Sequence, residues 1–365
     1  MSFDVAVIGT GGEPDNPDRD GYAMAYHHAS AYETLDTVDL VGCADIVREN
    51  AVAFASEFGI DEDGIFEDYE TLLGTIEPDI VSICVPPAIH AEITIDCIRS
   101  DSVEAIHCEK PMADTYGGAR LMAQEANRHN VQLTFNHQRR FSDAVRTAKK
   151  LLDDGEVGEL QRVEFSAGVG IFDYGSHSID LCNYFNDETP AEWVMGQVDY
   201  REENVLFGSH NENQALVMWE YENGVHGLAG TDSTGQGGPA SGFECHNRLV
   251  GTGGVIEVGP SDGEDQPALR IRRHGDGDWE AIATEDGLHS WDFIDRAIAE
   301  SVRCLREGDR PELGAANALN ATEIIFATWE SARRRGRVDL PLEIDDNPLE
   351  AMVESADLNP ETEGE

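Results

Sequence analysis

The sequence predicts an α/β protein of two domains, in which a doubly wound parallel sheet precedes an α+β domain with an open, mostly antiparallel sheet. Three observations predict this. Strand-like and helical segments alternate through the first third of the chain, strand-like segments then follow one another with few helices between them, and 365 residues are ample for two domains. Alternation of strand and helix implies right-handed crossovers and a parallel sheet covered on both faces.

The first domain is predicted to span residues 1–138. Five short apolar runs have the length of buried strands: residues 3–8, 39–44, 79–85, 105–108 and 132–135. Segments with helical periodicity separate them: residues 24–35, 48–58, 89–99 and 115–130. This order is typical of a nucleotide-binding Rossmann domain.

The second domain is predicted for residues 139–342 and begins with a helix at residues 142–153. Strand-like runs follow, interrupted by one helix at 176–185: residues 160–167, 193–200, 213–221, 225–231, 247–250 and 268–273. The turn Glu222-Asn223-Gly224 lies between two alternating runs and predicts a hairpin. The series therefore indicates a mostly antiparallel sheet.

The end of the chain is predicted to contain two more helices and a tail. The helices are residues 290–305 and 315–334, and we expect residues 315–335 to pack back on the first domain. Residues 343–365 are acidic and lack Lys and Arg, which predicts a disordered, solvated tail.

Composition limits the classes of partner. The net charge is −47, and only three residues are lysine. Such a surface is typical of a protein from a halophile, because salt screens self-repulsion, and it disfavours nucleic acid and anionic membranes as partners. Seven scattered cysteines, an N-terminus without a leader pattern and the lack of a membrane-length apolar run favour a cytoplasmic protein.

A glycine turn is the first candidate site. The first strand ends in Gly9-Thr10-Gly11-Gly12, and the second ends in Asp45. Glycines there let the backbone approach a pyrophosphate, and an acid after the second strand binds a ribose hydroxyl. We therefore expect NAD to contact Gly9, Gly11, Gly12 and Asp45. Nearby Arg48 leaves NADP open, and a turn used only for packing is the structural alternative. The acidic insertion 13–20 departs from the usual turn.

Two later loops also follow strands. Val85-Pro86, with His90, is a candidate lining of the nicotinamide side of the cleft, although prolines also simply end strands. Glu109-Lys110-Pro111 follows the next strand. A lysine retained there, in a chain with so few, is a candidate for chemistry, because ligands of this fold bind at strand ends. A surface lysine after a buried strand is the alternative.

The segment Asp173–Asp180 is the candidate acid–base site. His177 and Asp180 are three residues apart on a predicted helix, and a carboxylate beside an imidazole tunes its pKa for proton transfer. The alternatives are a helix cap with a satisfied histidine, or a metal pair. Further ligands at metal-site spacing are lacking, so no metal site is predicted. Polar residues 136–140 are either cleft groups or a turn with solvated arginines.

These motifs together resemble the Gfo/Idh/MocA family. The resemblance covers residues 3–342 and rests on the following residues: Gly9 and Gly11, Asp45, Val85-Pro86-Pro87 with His90, Glu109-Lys110-Pro111, Arg140-Phe141, 155–160, Asp173-x-Gly175-x-His177-x-x-Asp180, 251–254 and 338–341. It implies hydride transfer between a sugar, polyol or inositol-like carbon and NAD(P).

The resemblance also implies the role of each site residue. Lys110 contacts substrate oxygen and nicotinamide, His177 is the general acid–base, and Asp173 orients the substrate or the histidine. Glu109 is expected at the cofactor, and His137 and Arg140 at the substrate. Relatives often pair through the second sheet, so a homodimer or homotetramer is expected.

Two other functions remain open at this point. One is a redox-neutral NAD-dependent enzyme that cleaves glycosides or epimerises sugars, and the other is a non-catalytic sugar or NAD sensor. The connection 168–172 is shorter than in relatives, which leaves the class of substrate open.

Overall fold

The computed structural model describes residues 2–16, 21–168, 170–232, 246–259 and 267–361. The chain divides into two compact units. The first contains Met1–Gln138 and Trp291–Leu319, and the second contains Arg139–Ser290 and Asn320–Glu365.

The first unit is built on a six-stranded parallel sheet. Its strands are β1 (Phe3–Ile8), β2 (Val38–Ala44), β3 (Ile65–Phe66), β4 (Ile80–Ile83), β5 (Ala105–Cys108) and β6 (Gln132–Phe135). They lie in the order β3-β2-β1-β4-β5-β6, and every pairing is parallel. The predicted parallel sheet is therefore confirmed. Sequence analysis did not predict β3, which is only two residues long.

Helices cover both faces of this sheet. They are α1 (Met24–Glu33), α2 (Arg48–Phe58), α3 (Tyr69–Ile76), α4 (His90–Arg99) and α5 (Tyr116–His129). The alternation of side chains along β1 produces the two layers: Val7 packs with Phe54 of α2, whereas Ile8 packs with Ile93 of α4. α3 was not predicted, although Asp68 caps it by accepting from the N–H of Thr71 at 2.8 Å.

The second unit contains a nine-stranded sheet. Its helices are α6 (Asp143–Asp153) and α7 (Gly175–Phe185). The strands of this unit are β7 (Leu160–Ala167), β8 (Ala191–Asp199), β9 (Val205–Leu206), β10 (Ser209–His210), β11 (Gln214–Tyr221), β12 (His226–Asp232), β13 (Asn247–Gly251), β14 (Gly254–Val258), β15 (Leu269–Arg273), β16 (Glu280–Ile282) and β17 (Val338–Asp339). The order is β16-β15-β14-β13-β7-β12-β11-β8-β17, and β9 pairs with β10.

The open, mostly antiparallel sheet is likewise confirmed. Among the described strands, β7 and β12 form the one parallel pair in it. The predicted hairpin joins β11 to β12, with Gly224 at a φ of 81°. Within the described residues, no helix combines the length and the apolar composition that crossing a bilayer requires.

Both predicted late helices form, and a third, shorter helix follows them. They are α8 (Asp292–Glu307), α9 (Ala315–Arg334) and α10 (Pro348–Glu354). α8 belongs to the first unit, because its apolar face packs with β1 and α1. Only the first turn of α9 groups with that unit, and from Asn320 onward α9 is part of the second, where Phe326 and Trp329 pack against Phe172. Ala318, on the first turn of α9, lies in the core of the first unit, and the packing of the whole of residues 315–335 on the first domain stays a prediction.

The prediction of a disordered tail at 343–365 is wrong for residues 343–361. Asn347 caps α10 by accepting from the N–H groups of Leu349 at 3.0 Å and Glu350 at 3.2 Å. Leu349 and Met352 are buried. An Asn-Pro start and two apolar residues three positions apart are enough to order this helix, despite its acidic surroundings. Residues 362–365 lie outside the described residues.

Candidate active site

The glycine turn lies at the carboxyl end of β1. Gly9 and Gly11 have φ angles of 84° and 62°. A Cβ on Gly9 would lie 2.6 Å from Cγ1 of Val85 and 3.0 Å from the backbone carbon of Cys84. Only glycine therefore permits this approach between β1 and the loop after β4. Gly12 continues the turn and is half-buried.

Asp45 orders this turn from the end of β2. Its Oδ2 accepts hydrogen bonds from the N–H of Gly11 at 2.8 Å and the hydroxyl of Thr10 at 3.2 Å. Its Oδ1 accepts from the N–H of Val47 at 2.8 Å. Asp45 is half-buried, and each carboxylate oxygen can accept more than one hydrogen bond. The same side chain can thus hold the turn and receive a ribose hydroxyl.

The start of α1 fits the pyrophosphate of a dinucleotide. Its N-cap, Ala23, makes no side-chain capping bond, and its first turn contains no acidic residue. A Cβ on Gly11 would meet nothing within 4 Å, so the turn borders open space. The N–H groups at the start of such a helix favour an anion. Residues 13–16 of the acidic insertion are exposed, and residues 17–20 lie outside the described part of the chain.

His90, predicted at the cofactor, is completely buried, and its contact with the cofactor stays a prediction. Its Nδ1 lies 2.8 Å from the carbonyl oxygen of Pro111, and its Nε2 lies 2.7 Å from that of Val85. Burial lowers the pKa of His90, although both carbonyls favour the charged ring. The ring therefore connects the loop after β4 to the loop after β5, and it acts by positioning them. Pro86, between these contacts, is exposed.

Lys110 is half-buried after β5, and its peptide bond to Pro111 is cis. Glu109, predicted at the cofactor, is buried instead. Its Oε1 accepts from Nε2 of His28 at 2.9 Å and from Nδ2 of Asn136 at 2.7 Å. Burial alone would raise the pKa of Glu109, but His28, Asn136 and Lys110 outweigh it and lower the pKa to about 2. Glu109 is thus a buried anion that supports the Lys110 loop.

A polar row crosses the first sheet beneath this loop, and sequence analysis missed it. Ser82, His107 and Thr134 are paired neighbours on β4, β5 and β6. The hydroxyl of Ser82 lies 2.7 Å from Nδ1 of His28, a buried residue of α1. Nδ1 of His107 lies 2.9 Å from the Thr134 hydroxyl, and burial lowers the pKa of His107 to about 3. The sequence signal for this row was a polar residue inside each of these three apolar strand runs.

The chain leaves the first sheet at the end of β6, the strand that contains Thr134. His137, predicted at the substrate, is buried, and its N–H donates to the carbonyl of Phe135 at 2.7 Å. Its contact with substrate stays a prediction.

In the second unit, Asp173 and His177 flank the start of α7. The N-cap is Tyr174, which makes no side-chain capping bond, so the expected alternative of Asp173 as the cap residue does not hold. The hydroxyl of Ser176 donates to the carbonyl of Asp173 at 2.6 Å. Asp173 is half-buried, and His177 is buried on the first turn of the helix.

Arg140, predicted at the substrate, is an internal ion-pair partner. Its Nε and Nη2 donate to the two carboxylate oxygens of Asp180 at 2.7 and 2.6 Å, and its Nη1 lies 2.6 Å from Oε1 of Glu188. Burial lowers the pKa of Arg140, but the two carboxylates outweigh it and raise the pKa. Asp180, expected to tune His177, is thus bidentate to Arg140. Such a buried ion pair stabilises the packing of α7, and the contact of Arg140 with substrate stays a prediction.

A cluster of rings surrounds Tyr174, and we call Arg139, Tyr174, His177, His246 and His289 the Tyr174 cluster. The Arg139 guanidinium lies 4.1 Å from the centre of the Tyr174 ring. The Tyr174 hydroxyl lies 2.9 Å from Nδ1 of His289. The ring centres of His177 and His246 lie 6.3 and 6.1 Å from that of Tyr174. Burial, followed by Arg139, lowers the pKa of His246 to about 3, so that ring is neutral.

Of this cluster, the sequence motifs singled out His177 by role and Arg139 only as one of the polar residues 136–140. Tyr174 lies inside the segment already singled out, and Arg139 adjoins Arg140. Of the two alternatives for residues 136–140, the turn with solvated arginines is excluded, because both arginines are buried. His246 and His289 lie in segments that carry no pattern linking them to α7, and only the fold brings them together.

A buried carboxylate anchors the short connection that leads to Asp173. The N–H of Ile171 donates to Oε1 of Glu212 at 2.5 Å, and Nε1 of Trp329 donates to Oε2 at 2.9 Å. Burial raises the pKa of Glu212 to about 7. The connection is therefore fixed by a side chain from the β10–β11 region, and residue 169 lies outside the described residues.

Two family models match the chain. The first is described as "Oxidoreductase family, NAD-binding Rossmann fold" of Gfo/Idh/MocA type, and it matches residues 3–137. The second is described as "Oxidoreductase family, C-terminal alpha/beta domain" of the same type, and it matches residues 161–340.

Similar proteins include named sugar dehydrogenases. D-apiose dehydrogenase of Paraburkholderia graminis is 24% identical over 343 residues, which are 86% of this chain and 86% of that protein. D-xylose 1-dehydrogenase [NADP(+)] of Haloarcula marismortui is 23% identical over 357 residues, covering 89% of this chain and 94% of that protein. A solved levoglucosan dehydrogenase in complex with NADH and levoglucosan has a TM-score of 0.76 at 18% identity, covering 94% of this chain and 100% of that one.

Proposed function

Because the chain belongs to the Gfo/Idh/MocA oxidoreductase family, we propose that it transfers a hydride between a hydroxyl-bearing carbon of a sugar, polyol or inositol-like substrate and nicotinamide. The observation that carries the proposal is the glycine turn held by Asp45, whose geometry fits a dinucleotide. The sugar dehydrogenases similar to this chain support the class of substrate.

Side chains of this protein accept and return the proton, and NAD(P), when bound, accepts the hydride. His177 takes the proton from the substrate hydroxyl as the carbon loses its hydride, so that the alcohol becomes a carbonyl. Lys110 places a cation at the substrate oxygen and stabilises the alkoxide charge that develops there. Asp173 orients the substrate. In the opposite direction His177 returns the proton to the oxygen.

The preferred cofactor follows from Asp45. A carboxylate at the end of β2 accepts ribose hydroxyls and repels an added phosphate. Arg48, exposed at the start of α2, supplies a cation beside it. We infer that NAD is the preferred cofactor. NADP is tested beside it in every assay.

The test is nicotinamide reduction by purified protein in molar KCl. A panel of sugars, inositols and sugar acids is assayed with NAD and NADP. Lys110→Ala and His177→Ala are each expected to lower kcat by about 100-fold or more, the usual scale for general acid–base catalysis. Lys150→Ala is the matched control, because Lys150 is an exposed lysine, and its kcat should stay within about twofold of wild type.

Three outcomes would contradict the proposal. Unchanged turnover in Lys110→Ala would remove that residue from the chemistry. Conversion of a sugar by protein that retains NAD, without net reduction, would favour the redox-neutral enzyme. Binding of sugar and NAD with neither reaction would favour a sensor.

The surface of the second sheet supports a homodimer or homotetramer. Met195, Met218 and Leu228 are exposed cross-strand neighbours on β8, β11 and β12, and Leu216 continues the same face. An exposed apolar group of this kind marks a contact surface. We infer that copies of the chain associate through this face.

The acidic composition supports a cytoplasmic enzyme adapted to high salt. Screening of the −47 net charge by salt relieves repulsion within the folded chain. The same panel assay in low KCl tests this adaptation, and equal stability and turnover in low and molar KCl would exclude it.

A further inference from the structure

Two buried arginines follow one another in the chain and have opposite environments. Of the arginines in the described ranges, only Arg139 and Arg140 are buried, with 4% and 1% of their surface exposed. Arg140 is bound by the carboxylates of Asp180 and Glu188. No carboxylate of the described residues forms an ion pair with Arg139, and its buried Nη1 has no hydrogen-bond acceptor among them.

The positive charge of the Arg139 guanidinium has no ion-pair partner among the described residues. Its guanidinium lies over the Tyr174 ring at 4.1 Å, which offsets part of the loss of hydration. Burial lowers the pKa of Arg139, whereas the charge of Tyr174, a hydrogen bond with its side chain and the charge of Asp173 raise it. A buried N–H donor without a protein acceptor can bond to ordered water or to a ligand, and a guanidinium beside the proposed general acid–base is placed to bond to the substrate. In a chain with 72 acidic and 25 basic residues, internal carboxylates were abundant as partners.

We propose that Arg139 binds a carboxylate of the substrate, so that the substrates of this enzyme are sugar acids. A guanidinium presents parallel N–H donors that match the two oxygens of a carboxylate. One guanidinium balances one negative charge. A phosphate dianion is disfavoured, because it has a second negative charge and the neutral His246 ring adds no cation to balance it.

The position of Arg139 suits this role. The guanidinium and the His177 ring lie against the same tyrosine, with the His177 and Tyr174 ring centres 6.3 Å apart. A carboxylate on Arg139 is thereby held on the same unit as the proposed general acid–base. The inference rests on the proposed function, since it names the substrate class of that site.

The experiment compares matched pairs of substrates that differ only in a terminal hydroxymethyl or carboxylate group, such as glucose with glucuronate and galactose with galacturonate. The ratio of kcat/KM for the acid to that for the neutral sugar is measured in wild type, Arg139→Gln and Arg139→Lys. Wild type is expected to favour the acid by about tenfold or more. Arg139→Gln should lower the ratio by about 10- to 100-fold, the range of a charged hydrogen bond. Arg139→Lys should fall between them, because lysine keeps the charge but not the paired donors.

Binding separates this inference from the proposed function. Calorimetry of glucuronate and galacturonate with the NADH-bound protein requires no turnover. Arg139-dependent binding without turnover would support the inference and contradict the proposed function. Arg310→Gln is the matched control, since Arg310 is exposed, and it should leave both binding and the ratio unchanged.

Three results would overturn the inference. They are a wild-type preference for neutral sugars, a ratio unchanged in Arg139→Gln, and a loss of NADH affinity in Arg139→Gln as large as the loss for the acid. The last result would assign the guanidinium to a cofactor phosphate. Thermal midpoints and circular dichroism establish that the variants are folded. If Arg139→Gln does not fold, the ratio in Arg139→Lys decides.

Discussion

Wild type should lose folding stability as Glu212 deprotonates with rising pH. The Glu212→Gln variant should lack this part of the loss. Glu212 is completely buried, and burial raises its pKa from 4.5 to about 7. The folded protein therefore holds this proton to a higher pH than the unfolded chain does. Its contribution is fully present below about pH 4.5 and is lost as the pH rises through 7.

The magnitude follows from the difference of roughly 2.5 pH units, which at about 1.4 kcal/mol per unit corresponds to about 3 kcal/mol. About 2.5 kcal/mol of this loss falls between pH 5 and pH 8. Glutamine stays neutral, and its oxygen can accept from the N–H of Ile171, but its amide nitrogen cannot accept from Nε1 of Trp329. That lost hydrogen bond costs about 1 kcal/mol at every pH. The variant should therefore match wild type near pH 5 and exceed it by about 2 kcal/mol at pH 8.

The assay is urea unfolding at fixed high salt from pH 5 to pH 8, followed by tryptophan fluorescence. The difference between wild type and Glu212→Gln cancels the titration of the acidic surface, which both proteins share. Glu222→Gln is the control, since Glu222 is exposed in the hairpin turn, and its difference from wild type should not change with pH. A Glu212→Gln difference that is also constant across this range would refute the reasoning.

Two further predictions concern the glycine turn and the second sheet. Gly9→Ala should destabilise the protein by about 1–2 kcal/mol from its positive φ alone and should also weaken NADH binding, measured by fluorescence titration, because the new Cβ would clash with Val85. Gly59→Ala controls for the backbone term, as Gly59 has a φ of 69° and nothing within 4 Å of its Cβ position; equal NADH affinities of the two variants would contradict the clash argument. Met218→Glu should reduce the molar mass in light scattering to that of one chain, whereas Leu121→Glu, an exposed apolar position on α5, should not. An unchanged mass for Met218→Glu would exclude the proposed contact face.

Local patterns in the sequence were sufficient for the two sheets and the glycine turn. The strand runs, the Gly9 and Gly11 positions and the hairpin at Gly224 each depend on residues that are close in the chain. The burial of His90 could not be predicted, because it depends on the carbonyls of Val85 and Pro111, which lie on different loops. Periodicity reports that a residue follows a strand, but it does not report what closes over its side chain.

Arg139 and Arg140 also show that position in the sequence does not reveal what surrounds a side chain. They have the same side chain and adjacent positions, yet Arg140 forms two ion pairs and Arg139 stacks on Tyr174. Their partners come from α7 and from the residues on either side of it, so no local pattern separates them. The tail was misjudged for a different reason: acidic composition suggested disorder, whereas the cap at Asn347 and the burial of Leu349 order α10.

The place of α8 in the first unit has a consequence for biosynthesis. Val5 and Tyr32 are covered by Ile294 and Ile298 of α8, so the surface formed early in translation lacks its cover until residues near 300 have left the ribosome. The roughly 150 residues between Gln138 and Trp291 take about 8–30 s to synthesise at about 5–20 residues per second. During that interval the nascent nucleotide-binding unit exposes an apolar strip, which makes it a natural client of ribosome-associated chaperones.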